Sequence, residues 1–490
     1  MYRRTESQTQ LFEDFFLPFE GKLNPENRWV KLAEMIPWCR AEEGYAKSFG
    51  KSMRGQISLS VRMALGALYI KERMQLDDRE TLQQIAENPY YQYFLGLPGY
   101  QEEPPFHHSL MTHFRKRLGA DIIGQVNDWI IEEETKQEPN EDKDQSSPST
   151  NPQMIQDSSC PSAPCKNNGK LMLDATCAPA DISYPTDLRL LHEARAKCED
   201  IIDVLHGSST DKKKKPRTYR QIARKRYLEI VKKRRTSSKQ TRKAIGKQLR
   251  YVGRNLRIID RLATEMESGL TGLKTKQYQE LLVISELYRQ QKQMFDERSR
   301  SIPDRIVSLS QPHVRPMVRG KVNARVEFGA KLAISLVNGY ARIEKLSWDN
   351  FNECTTLQSA VETYRMRVGC YPEVILADKI YRNRENLRYC KERGIRLSRS
   401  SLGRPKKENQ DDKAQTKQDA SERNAIEGKF GEGKLSYGLG RIRARLRATS
   451  ETLIALQLLV MNLERKLRIL FLPLFTLLRH LSQWPRYASH

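Results

Sequence analysis

Leu171-Met172-Leu173-Asp174 and, far downstream, Val374-Ile375-Leu376-Ala377-Asp378 decide how this chain is read. Each is a short apolar run that stops at an acid. An apolar strand ending in a carboxylate holds that carboxylate rigidly at a sheet edge. A third acid, Glu427, lies in Arg423-Asn424-Ala425-Ile426-Glu427-Gly428-Lys429-Phe430, just before a helical pattern. Two sheet edges and one helix are enough to hold a pair of hard cations about 3.5–4 Å apart, the arrangement of two-metal phosphoryl transfer.

Bulk composition narrows the partner. The chain has 490 residues, room for two to four domains, and a net charge of +25. That excess calls for a polyanion, either nucleic acid or an anionic membrane. The most apolar segment, residues 467–478, is shorter than the ~20 residues of a span and is broken by Arg468 and Pro473. It reads as a terminal helix packed on the body, with no membrane partner. Met1-Tyr2-Arg3-Arg4-Thr5-Glu6 has no apolar core and does not read as a signal peptide. Of eight cysteines only Cys160 and Cys165 are close, and no second Cys/His pair at zinc spacing joins them. Free thiols and a cytoplasmic location are expected.

The organisation follows from composition shifts. Residues 1–133 read as an all-α N-terminal domain, with helical spacing over 61–70 and a short helix over 78–89 stopped by Asn88-Pro89. A loop rich in Gly and Pro then leads to a helix from Leu110 whose far end, Arg115-Lys116-Arg117, is basic. That succession fits a helix-turn-helix-like DNA-binding unit. His107, His108 and His113 nearby suit packing or DNA contact better than metal. Residues 134–169 are a polar linker, expected to be disordered.

Residues 187–300 show no strand alternation and read as long helices, including 188–203 and 256–295. Within 211–257 stand 20 Lys and Arg against two acids, a surplus of 18. Its runs are Lys212-Lys213-Lys214-Lys215, Arg217, Arg224-Lys225-Arg226 and Lys232-Lys233-Arg234-Arg235. A surplus this dense repels itself unless phosphates neutralise it, so a clamp on the phosphate backbone is expected.

Beyond 300 the pattern turns mixed. Residues 326–336 and 340–347 read as strands joined by the hairpin turn Asn338-Gly339. A helix over 355–368, the strand into Asp378, a helix over 383–393, a strand over 395–398, a polar segment over 401–420 and a helical region over 421–480 follow. The order β-β-β-α-β-α-β-α is that of a ribonuclease-H-like fold. The expected architecture is an α/β catalytic domain of that fold (170–186 and 301–450), interrupted by the basic helical insertion 187–300, with a C-terminal helical tail over 451–490. In that fold the first and fourth strands are neighbours, which brings Asp174 and Asp378 together.

These residues resemble the DDE transposases of bacterial insertion sequences, the insertion-sequence-four/five superfamily and its five-like subgroup. Arg423-x3-Glu427-x6-Lys434 keeps three members of the Y-x2-R-x3-E-x6-K signature, and Ala420 stands at the tyrosine position. The segments Leu173–Ile182, Ala377–Asn383 and Glu427-Gly428-Lys429-Phe430-Gly431 are similar too. The resemblance implies that Asp174, Asp378 and Glu427 hold two Mg²⁺ or Mn²⁺ ions and that Arg423 and Lys434 assist at phosphate. It also implies double-stranded DNA as partner, element ends and target alike, and a homodimer that pairs two ends. Asp181, Asp187, Glu422 and Glu432 compete for the acid positions. The first two follow prolines and read as turn or cap residues, Glu422 is expected to point away, and Glu432 lies between glycines.

Overall fold

The computed structural model describes residues 15–18, 21–49, 57–137, 166–208, 215–265, 269–318, 326–398 and 410–482. Most of the expected linker, and Lys212, Lys213 and Lys214 of the basic run, lie outside these residues.

Six helices open the chain: α1 (Arg28–Met35), α2 (Trp38–Lys47), α3 (Val61–Met74), α4 (Asp78–Glu87), α5 (Pro89–Phe94) and α6 (Leu110–Gln137). Their ends follow local chemistry. Ser60 caps α3 through Met63 N, and Asp77 caps α4 through Arg79 N and Glu80 N. Asn88 closes α4, and its side chain accepts from Tyr90 N to start α5 with Pro89 in the first turn.

The sheet begins with β1 (Lys170–Pro179). Four helices follow, α7 (Asp187–Ser208), α8 (Arg220–Val231), α9 (Ser238–Glu265) and α10 (Thr275–Asp296), before β2 (Arg315–Val318), β3 (Val326–Val337) and β4 (Tyr340–Ser347). Then come α11 (Leu357–Val368), β5 (Val374–Ala377), α12 (Arg384–Glu392), β6 (Arg396–Leu397), α13 (Gln410–Ser436) and α14 (Arg447–Ser482). The mixed sheet runs β2-β3-β1-β5-β6, with β4 also on β3. β1 pairs antiparallel with β3 and parallel with β5. The β3–β4 hairpin turns on Asn338 (φ 49°) and Gly339 (φ 80°), both left-handed as its two-residue turn demands. Gly329 of β3 lies opposite Pro179, where a Cβ would stand 2.1 Å from the Ala178 carbonyl oxygen, so no side chain fits.

Four expectations change. β1 does not stop at Asp174 but continues to Pro179, because β3 still pairs with it through Gly329. β2 was not anticipated; four residues containing Pro316 carry little strand signal. The helix expected over 256–295 is two helices, α9 and α10, with Gly269 at φ 52° between them. The region 421–480 likewise divides at Gly438 (φ 80°), and the segment expected as polar chain before it is helical from Gln410.

Two cores hold the sheet. On one face Leu171, Leu173, Ile375 and Ala377 pack against Leu357, Val361, Tyr364, Tyr381 and Cys390. On the other, Leu332, Ile334, Leu336 and Ala341 join the N-terminal helices and the buried stretch Leu453–Leu463 of α14. α14 is apolar on all sides there, and accordingly it is surrounded: α3, α6 and β4 all pack on it. α7, α9 and α10 form a separate core around Leu191, Ile202, Val252 and Ile284. The six cysteines among the described residues are free. No described helix is long and apolar enough to cross a membrane.

Two contacts fix α14. Glu464, nearly buried, receives Arg28 (2.6 Å), Arg73 (2.9 Å) and the Tyr69 hydroxyl (3.0 Å). Asn462 serves the outer edge of β4: its Oδ1 accepts from Ala341 N (2.9 Å) and its Nδ2 donates to Ala341 O (2.7 Å). The side-chain amide thus completes a strand edge that water does not reach. Asn462→Ala leaves both groups of Ala341 without this partner and should destabilise the fold by about 2 kcal/mol or more in urea denaturation. An unchanged midpoint would show that the amide is incidental.

Candidate functional site

Register alone sets two acids side by side. In the parallel pair β1–β5 the last partners are Leu173 and Ala377. Asp174 and Asp378 each follow immediately. Side chains alternate along a strand, so Asp174 faces away from the Leu173–Ala377 core and toward α13, where Arg423 meets it. β5 ends at Ala377, and Asp378 opens a 3-10 turn, Lys379–Tyr381. The β5 side of β1 is therefore without a strand partner from Asp174 until Ile442 bridges it at Ala180.

α13 brings the third acid. Three ion pairs lay it along the sheet: Arg396 to Asp419 (2.6 and 2.9 Å), Lys170 to Glu422 (2.8 Å), and Arg423 to Asp174 (3.4 Å). Asp419, Glu422, Arg423 and Ile426 share one face by helical spacing. Glu427 stands one turn past Arg423 and accepts from its Nη2 at 2.5 Å. Arg423 thus joins Asp174 to Glu427. Lys434 lies seven residues beyond Glu427, about 10 Å along the axis, in the last turn of α13.

The electrostatics centre on Asp174. Burial pushes its carboxyl up from 3.8 to about 6, against the Ala175 N–H and Arg423, which act to lower it. Glu353 and Asp378 add to the rise. Glu353 carried no expectation from sequence. It sits in a 3-10 turn, Glu353–Thr356, before α11, and pairs with Lys331 of β3 at 3.0 Å. The only signal for it was its place after the capping residue Asn352. Tyr381, fully buried beneath the site, is raised far above the usual phenol range, first by burial and then by Glu353 and Asp174.

The competing acids are all neutralised elsewhere. Asp181 binds Arg441 (2.8 Å), Asp187 binds Arg305 (2.6 Å), and Glu432 binds Lys429 and Arg468 (3.0 and 2.5 Å). Glu422 pairs with Lys170 at the start of β1, four residues before Asp174. The donor set near Asp174 is oxygen only, crowded and partly desolvated, which suits a hard divalent ion in kind. Among the described residues, however, no three His, Cys, Asp or Glu side chains converge closely enough to hold one. As they stand, Arg423 takes the place between Asp174 and Glu427 that a cation would occupy.

The basic residues divide. Arg115 gives both Nη atoms to Asp78 (2.9 and 2.8 Å), and Arg117 lies over the Phe49 ring at 4.5 Å, while Lys116 is exposed. In the helical unit, Lys215 binds Asp203 and Arg226 binds the Tyr251 hydroxyl, both at 2.6 Å. Arg224, Lys225, Lys232, Lys233, Arg234 and Arg235 are exposed, and Arg217 lies in the chain leading into α8.

Residues 375–464, which carry Asp378, Arg423, Glu427 and Lys434, match the family described as a transposase DDE domain. Residues 17–117 match a second family, described as a transposase domain. These matches support a transposase of the DDE type. The chain is also 28% identical over 194 residues to "Uncharacterized protein ORF8 in nfe locus" of Rhizobium meliloti, covering 39% of this chain and 79% of that one. No solved structure matches. The first family covers the two later acids, and Asp174, outside it, joins them through the β1–β5 pairing and its ion pair with Arg423.

The raised Asp174 has a measurable consequence. Folded, its carboxyl keeps a proton up to about pH 6; unfolded, it loses it near 3.8. The folded state therefore binds more protons between those values, and stability falls as pH rises through that window, by no more than about 3 kcal/mol. Without divalent metal, Asp174→Asn should melt like the native chain at pH 4 and several degrees higher at pH 7.5. A gap independent of pH would refute the shift.

Proposed function

We propose that this chain is a metal-dependent transposase that binds the ends of an insertion sequence, cleaves the DNA there and joins the freed 3′-OH to target DNA. The observation that carries the proposal is the β1–β5 register, which sets Asp174 and Asp378 abreast while Arg423 ties Glu427 to Asp174. The strand order, with an antiparallel hairpin on one side of β1 and parallel strands on the other, supports a ribonuclease-H-like catalytic domain. In that reading α7 to α10 are a helical insertion after its first strand. The subgroup is the insertion-sequence-five-like one, on Arg423, Glu427 and Lys434, with Ala420 replacing the tyrosine.

Asp174, Asp378 and Glu427 would hold two Mg²⁺ or Mn²⁺ ions, which would activate the attacking oxygen and stabilise the leaving 3′-oxygen. The chain's own residues do the rest. Asp174, fixed within β1, and Asp378, at the end of β5, orient the site. Glu427, half exposed, swings from Arg423 to complete it. Arg423, released, balances charge on the scissile phosphate, as does Lys434. Lys116 and the basic residues of 212–235 would contact DNA backbone. A homodimer would pair the two ends, in the bacterial cytoplasm.

A nuclease of the same fold that cuts without joining is the second reading, favoured only by the departure at Ala420. Pre-cut duplex ends incubated with plasmid and Mn²⁺ separate the two, since joined products arise from a transposase and not from the nuclease. Asp378→Asn should lower cleavage at least a thousandfold while leaving duplex binding within about twofold, because a phosphoryl-transfer site loses its metal scaffold when one carboxylate goes. Cleavage that survives this substitution contradicts the assignment of the site.

A further inference from the structure

Lys239, Lys243, Lys247, Arg250, Arg254 and Arg257 recur along α9 at spacings of three and four, so they form one face of the helix. The face runs about 27 Å at 1.5 Å per residue. The opposite face, with Ala244, Leu249, Val252 and Ile259, is buried in the helical core. From Ser238 to Ile259 the helix contains no acid. Among the described residues none of the six cations is in an ion pair.

Its neighbours in the same bundle behave differently. α7 pairs Arg189 with Glu193 and Arg195 with Glu199; α10 pairs Arg289 with Glu286 and Lys292 with Asp296. Those helices neutralise their own charge, α7 partly in the buried Arg195–Glu199 pair and α10 at its surface. α9 leaves its charge for something else to neutralise.

Near its start the face meets a cavity of about 150 Å³ against α8, lined by Arg226, Lys243, Lys247, Gln240, Gln248 and Glu229. Three cations and one carboxylate leave a net charge of +2 there. The cavity is well below the roughly 300–1,000 Å³ of an organic-ligand pocket and has the room of about five waters. That suits a phosphate group, not a nucleoside or a peptide.

We infer that this face of α9 is a seat for the phosphate backbone of duplex DNA, with one phosphate lodged between Arg226, Lys243 and Lys247. The inference rests on the reading of DNA as substrate and narrows the clamp expected over 211–257 to one face of α9. An anionic membrane is disfavoured: a helix lying on lipid inserts its apolar face, and the apolar face of α9 is already inside the bundle.

The test is the salt dependence of duplex binding by fluorescence anisotropy, with random-sequence DNA, for the whole chain, Lys243→Gln/Lys247→Gln and Lys243→Arg/Lys247→Arg. The glutamine variant should lose on the order of tenfold in affinity at 0.1 M salt and reduce the slope of log K against log salt by roughly two. The arginine variant should keep the slope. Thermal melts check that each folds, and Arg250→Gln/Arg257→Gln gives the same readout should the lysine pair prove unstable. An unchanged slope beside tight native binding overturns the seat while sparing the transposase reading. Native protein that binds no duplex overturns both. Binding to phosphatidylserine vesicles in preference to DNA, lost in the glutamine variant, assigns the face to a membrane and overturns the inference.

Discussion

The parallel pairing of β1 with β5 is the constraint on which the rest depends. It joins residues from two ends of a long excursion, Leu173 and Ala377, and everything between them must return the chain to that register. A slip of one residue would turn Asp174 or Asp378 into the opposite core, where Leu171, Leu173 and Ile375 pack. The buried apolar set and the placement of the acids are thus one requirement. That is why a carboxylate edge is tolerated in a sheet otherwise filled on both sides.

α13 is the second layer of this design. Its ion pairs with Arg396, Lys170 and Asp174 lock one helix face across β6 and the first half of β1. The cost is that Arg423 neutralises the two carboxylates the chemistry would use. Burial of Asp174 and the nearby Glu353 and Asp378 leave the pocket short of positive charge all the same. α14, locked by Asn462 and Glu464, carries the N-terminal helices against the same sheet, so the region matched by the second transposase family and the acidic site share one core.

The sequence made some of this legible. Apolar runs marked β1 and β5, Asn338-Gly339 marked the hairpin, and Asn88-Pro89 marked a helix end, because each is a local signal. Asp174 was visible for the same reason, although the run seemed to end there and the strand continues. Glu353 and the Glu422–Lys170 pair were not visible, since both depend on which strand lies beside which. The helix broken at Gly269 was read as continuous because one glycine in a long polar-apolar pattern is a weak stop. The basic surplus was plain as composition, but its concentration on one face of α9 required the partners that neutralise α7 and α10.

The central claim is that Asp174, Asp378 and Glu427 share bound divalent metal. Fe²⁺ substituted for Mg²⁺, with ascorbate and peroxide, cuts a polypeptide beside the residues that hold it, and mass spectrometry locates the cuts. The account predicts three clusters, next to Asp174, Asp378 and Glu427, suppressed together by excess Mg²⁺. Cuts confined to other parts of the chain, or beside only one of the three acids, would contradict it.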